Sequence, residues 1–256
     1  MREDNLNREL NQKRGQVTLF IIIGILIVSV ILVFYFWVYP TYITGGGAGL
    51  GFESCVEEVL DKKITELAPK AGFANPEFFY KYQGDRIPYL CYTNKFYITC
   101  TVQKPFFKQH FEDNLEFAIG EETNDCYSNS INELKGRGYD VQVTRKLDYE
   151  VILEPGVARV KIDAPTTVGS TSLARFDVRL NSPIYDMLFI STSILQYESE
   201  LGDSDTTRLT DFYPEYTIDK LKQGDGTTVY ILTSKIHGTQ IKFASRSLAW
   251  PAGYDV

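Results

Sequence analysis

The sequence predicts an α+β fold: an N-terminal transmembrane helix, a glycine linker, then a domain in which an antiparallel sheet packs on helices. Three observations predict it. Aromatic residues make up 14% of the 256 residues, which favours sheets and large-side-chain packing over a plain helical bundle. Apolar and polar residues alternate from Tyr139 to Leu180, the period of half-buried strands. Other stretches carry apolar residues at helical spacing. Hydrophobic residues at 44% and charged residues at 23% describe a folded chain and exclude wholesale disorder.

The N-terminal prediction rests on charge and length. No charged residue occurs from Gly15 through Phe52. A helix from Val17 to Tyr39 would reach roughly 34 Å, against about 30 Å for a hydrocarbon core. That run exceeds the apolar region of a secretory signal, about 7–15 residues, and no small-residue cleavage signal follows it. Arg8, Lys13 and Arg14 precede it, and no Lys or Arg follows until Lys62. The positive-inside rule then predicts a single-pass protein of the cell membrane, N-terminus cytoplasmic and C-terminal domain extracellular. The lipid bilayer is its expected partner, with Tyr35, Trp37, Tyr39 and Tyr42 as the membrane-interface belt. Gly45, Gly46, Gly47, Gly49 and Gly51 read as a flexible tether. The expected organisation is a leader at 1–15, a transmembrane helix at 16–40, a glycine-rich linker at 41–51 and an extracytoplasmic α+β domain at 52–256. The cysteine-bearing part, 52–138, is a candidate subdomain.

Within that domain, Val56, Val59, Leu60, Ile64 and Leu67 predict a helix that Pro69 ends. Strands are expected near Tyr89–Tyr92 and Phe96–Val102. A helix follows Pro105, with Phe107, Phe111, Leu115 and Phe117, and a second, short one covers Asp125–Lys135. The meander from Tyr139 to Leu180 turns at Glu154-Pro155-Gly156. Ser182 and Pro183 open a helix with Ile184, Met187, Leu188, Ile194, Leu195 and Leu201 on its stripe, and Gly202 stops it. Residues 203–226 read as irregular, and the chain closes with a hairpin of Thr228–Ser234 and Gln240–Leu248.

All four cysteines follow the apolar run. An even number in an extracytoplasmic domain predicts two disulfides, for which three connectivities exist. Cys91 and Cys100 flank a hairpin-like segment with Thr93, Asn94 and Lys95 at its turn, which makes them the natural local pair. Cys55 and Cys126 would then tie two helices together. No C-x-x-C spacing supports zinc.

The remaining chemistry is sparse. A net charge of −7 disfavours nucleic acid, whose binding needs phosphate neutralisation. His110 and His237 belong to no H-E-x-x-H motif, and no G-x-S-x-G or Walker A motif is present. Asp203 and Asp205 resemble the start of a calcium loop, but Thr207 and Arg208 depart from its pattern. No N-x-S/T sequon occurs. Phe73, Phe78, Phe79, Tyr80 and Tyr82 crowd one stretch and serve either a core or a sugar- or partner-binding surface. The expectation is a non-enzymatic protein with no cofactor and no metal. The alternatives are a permanent anchor whose outer domain binds a partner or polysaccharide, and an ectoenzyme acting on the envelope.

Lys13, Arg14, Gly15, Gln16, Val17 and Thr18 read K-R-G-Q-V-T before the apolar run. This resembles the class III signal of archaeal type IV pilin-like proteins, over about the first 40 residues. The resemblance implies cleavage by a prepilin peptidase between Gly15 and Gln16. It also implies self-association, or association with other pilin-like subunits, in a surface appendage, adhesion or envelope assembly. Phe20 stands where many such pilins carry a glutamate.

Overall fold

The computed structural model describes residues 22–32, 50–169 and 171–249. The chain divides between Gly47 and Ala48 into two units. In the first, residues 22–32 are helical and their apolar side chains are exposed. The fold-class expectation is corrected here: among the described residues, no helix is long and apolar enough to cross a membrane. The physical reason is length. Residues 22–32 rise about 16 Å as a helix, roughly half a hydrocarbon core. The rest of the expected span lies outside the described residues, as do Gly15, Gln16, Tyr35, Trp37, Tyr39 and Tyr42.

The second unit is α+β. Its elements run α1 (Leu50–Leu67), β1 (Phe79–Tyr82), β2 (Asp85–Tyr92), β3 (Thr101–Val102), α2 (Phe107–Gly136), β4 (Val141–Val143), β5 (Asp148–Glu154), β6 (Val157–Val168) and β7 (Thr171–Asn181). Then come α3 (Ile184–Leu201), α4 (Thr206–Phe212), β8 (Tyr216–Lys222), β9 (Thr227–Ser234) and β10 (Gln240–Arg246). One sheet has the order β1-β2-β10-β9-β8, with β3 also on β2; the other has β4-β6-β5, with β7 also on β6. All pairs are antiparallel except β2 with β10, where Tyr89 lies opposite Ala244.

Several boundaries differ from the sequence expectation, each for a local reason. The two helices expected after Pro105 and at Asp125–Lys135 are one helix of 30 residues, α2. Gly120 sits inside it, a poor helix former. A Cβ there would lie 2.6 Å from the Tyr149 hydroxyl, so β5 packs where only glycine leaves room. The strand expected at Phe96–Val102 shrinks to Thr101–Val102. The region 203–226 is not irregular throughout. Asp205 caps α4 by accepting the Arg208 N–H at 3.2 Å, and β8 carries Asp219, Lys220 and Lys222 at a sheet edge. Leu50 and Gly51 join α1 rather than the linker.

The main core lies around α3. Ile184, Met187, Leu188, Ile194 and Leu195 are buried, and α3 touches β2, β3, β9 and β10 of one sheet and β5 and β6 of the other. Each such side chain stabilises the fold by about 1.5–3 kcal/mol. Phe52, Val56, Leu60, Ile64 and Leu67 form the buried stripe of α1, which packs on α2 and β7.

The outer edge of β5 meets α2. The Val151 N–H donates to Glu116 Oε2 at 3.1 Å, and the Leu153 N–H to Glu112 Oε1 at 2.7 Å. Four residues of helix rise about 6 Å and two residues of strand about 6.6 Å. Glutamates at i and i+4 therefore match alternate amides of a strand. The sheet edge is sealed by side chains.

Candidate functional site: an aromatic sheet face and its clamped loop

The six-stranded sheet is apolar on both faces. Its inner face meets α3. Its outer face carries a separate buried patch of Ile87, Tyr89, Val229 and Ala244, with Tyr80, Tyr82, Tyr92, Leu221 and Ile231 packed on it. The period of a strand puts Ile87 and Tyr89 on one face, with Leu90 turned to the main core.

The rings form a connected set. Phe78 lies 4.8 Å from Tyr89 and 4.8 Å from Tyr92, and Tyr89 lies 5.0 Å from Tyr92. Arg246 sits 5.7 Å above Tyr92 of this set, while Arg86 sits 4.9 Å above Phe79, outside it. The Tyr89 hydroxyl meets Thr227 Oγ1 at 2.9 Å, and the Thr227 hydroxyl donates to Asp225 at 3.0 Å. Burial pushes the Tyr89 phenol above its usual range. Phe78 remains half exposed at the rim. Rings, the Arg246 guanidinium and the Asp225 carboxylate thus lie together on this face.

The structure thus separates the five aromatics singled out in the sequence. Phe78, Tyr80 and Tyr82 join this face. Phe79 lies under Arg86. Phe73 packs against the main core, with its ring 4.4 Å from His110. Tyr89, Tyr92 and Arg246 complete the face and were not singled out. The period-two pattern of β2 is the sequence signal for Tyr89; Tyr92, three residues on, follows the register shift in the β2–β10 pairing, and Arg246 arrives through that same pairing, so neither has a sequence signal.

Next to this face, residues 93–99 form a loop held at every side. The four cysteines pair as Cys91–Cys100 and Cys55–Cys126, both with S–S distances of 1.98 Å. The first pair closes the base of the loop; the second joins α1 to α2. The Thr93 N–H donates to the Arg246 carbonyl at 2.9 Å, and Arg246 Nη1 donates to the Thr93 carbonyl at 2.8 Å. The Tyr97 N–H donates to Leu248 at 2.7 Å, and the Leu248 N–H to Ile98 at 3.2 Å. Tyr97 is left-handed, with φ of 64°, a cost that its two-sided clamp offsets. Between the clamps, Phe96 is 73%, Tyr97 76% and Ile98 49% exposed.

The other residues weighed for chemistry have structural partners. Burial pushes the His110 imidazole below its usual pKa, with Lys104 adding to the effect. His237 lies in the β9–β10 turn, where its N–H donates to Ser234 Oγ at 3.3 Å. The Asp203 carboxylate pairs with Lys220 at 2.5 Å and Lys222 at 3.5 Å. Among the described residues, no group of three or more His, Cys, Asp or Glu side chains is placed to hold a metal ion. A cleft of about 610 Å³ lies between α2, β5 and α3, but its Glu112 and Glu116 are the acceptors that seal β5.

One polar group lies deep in the domain. Glu198 is 2% exposed. It accepts hydrogen bonds from the Tyr230 hydroxyl and, at 2.8 Å, from the Ser245 hydroxyl. Ser245 Oγ lies 3.5 Å from Cys100 Sγ. Burial drives both the Glu198 carboxyl and the Tyr230 phenol upward. The trio fastens the end of α3 to β9, β10 and the loop disulfide.

No protein-family model, curated protein or solved structure matches this chain.

Proposed function

We propose that this is a non-enzymatic cell-surface protein, working in a surface appendage, adhesion or envelope assembly through the aromatic face of its larger sheet. The observation that carries the proposal is the pairing of all four cysteines, since structural disulfides persist in oxidising compartments. Two further features support it. The K-R-G-Q-V-T leader is similar to the processing signal of archaeal pilin-like subunits. The ring-lined face, with Arg246 stacked on its Tyr92, has the aromatic and arginine content of interface hot spots. Nothing in this function requires a spanning helix.

Intact mass spectrometry of the native protein, with and without reduction, tests it. The expected mass is that of Gln16–Val256, four hydrogens lighter than its reduced form. A native protein with four free thiols would overturn the proposal. A second function is favoured by the ring-lined face: a protein that keeps residues 1–15 and holds a polysaccharide. A mass that includes those residues selects it.

A further inference from the structure

We infer that the clamped loop Thr93–Thr99 is a lipid-contact tip that inserts Phe96, Tyr97 and Ile98 into the headgroup region of an anionic bilayer. This contact goes beyond the surface role and stands whether or not the aromatic face holds another protein. Four observations carry it. The first is exposure of three consecutive large apolar side chains, where solvent-facing loop tips are ordinarily small and polar. The second is rigidity. The Cys91–Cys100 disulfide, the paired backbone bonds to Leu248 and the Arg246 contact fix the loop from both sides. Little conformational entropy is then left to lose on contact.

The third is charge. The loop Thr93–Thr99 carries Lys95 and no Asp or Glu, although the chain's net charge is −7. Lys95 is exposed beside Phe96. A cation next to aromatic rings matches the interface of an anionic membrane, where each surface cation contributes about 1 kcal/mol. The fourth is shape and side-chain type. The loop is exposed at its tip, and it lines none of the clefts at α2–β5–α3, on the four-stranded sheet or at α4–β8. Phe96 and Ile98 offer no hydrogen-bonding side-chain groups for a sugar to use. An exposed apolar tip enters a soft apolar phase without a matching pocket.

The test needs a probe that reports on the loop alone. In the full chain, Trp37 and Trp250 are replaced by phenylalanine, and Phe96→Trp makes the sole indole. Its emission is followed on phosphatidylcholine vesicles with and without about 30% phosphatidylglycerol, in lipids brominated on the acyl chain. The expected result is a blue shift and quenching on the anionic vesicles, lost at high salt. Lys95→Gln should raise the lipid concentration needed about fivefold. Ile98→Trp in the same background provides a second probe with the same expected response. If both indoles stay unshifted and unquenched while the protein is bound to vesicles, the inference falls and the tip faces a protein partner. Equal quenching on neutral and anionic vesicles would overturn the role given to Lys95.

Discussion

A carboxyl group near the C-terminal end of α3 is shut away from water. Glu198 keeps its place because Tyr230 and Ser245 donate to it. Glu198→Ala leaves both hydroxyls buried without their acceptor, and should cost about 2–4 kcal/mol in urea unfolding. Glu198→Gln keeps an acceptor and removes the charge. The sign of the pH effect follows from burial, which raises the folded carboxyl above its ordinary 4.5. The folded state then holds the proton that the unfolded state has released. Stability of the parent protein should therefore fall as pH rises from about that value through the raised one. The glutamine variant should not share this loss, so its advantage should grow with pH. A constant difference from pH 4 to pH 8 would show that Glu198 does not titrate differently on folding. At this scale the sequence is uneven. The Cys91–Cys100 pair is legible because a short hairpin brings its ends together. The Glu198 trio is not, because its members come from three distant elements.

The elements explain more of what the sequence shows and hides. The stripes of α1 and α3 and the meander β5–β6–β7 are legible because each buries one face with its own period. The continuity of α2 is hidden, because the reason for Gly120 lies on β5. Gly120→Ala alone should destabilise by about 1 kcal/mol, since the 2.6 Å approach to the Tyr149 hydroxyl outweighs the gain in helix propensity. With Tyr149→Phe the obstruction goes, and the same alanine should become neutral or stabilising by up to about 1 kcal/mol, a coupling that a double-mutant cycle in thermal unfolding would measure. The seal on β5 gives a second prediction at this scale. Glu112→Ala with Glu116→Ala frees two edge amides, and should cost about 2–4 kcal/mol. It should also raise self-association, read by light scattering, because an open edge recruits strands. Unchanged stability and scattering would show that water replaces the glutamates without loss.

Over the whole molecule, two covalent ties divide the labour. Cys55–Cys126 closes a sequence separation of 71 residues and Cys91–Cys100 one of 9. In the chain-entropy model these contribute about 4 and about 2.6 kcal/mol. Replacing the first pair by serines should lower global stability by roughly the larger figure. Replacing the second should cost less and speed hydrogen exchange mainly in residues 93–99. The two-sheet arrangement was only partly legible from sequence. Local hairpins show in their turns, whereas the joining of β2 to β10 leaves no local sign. That one parallel pairing also constrains how the protein is made. Tyr89 must wait for Ala244, which a ribosome working at about 5–20 residues per second delivers on the order of ten seconds later. Until then the larger sheet lacks its middle, and Leu248 has not arrived to clamp Tyr97. A nascent chain therefore keeps its larger sheet in two unjoined parts until β10 has been made.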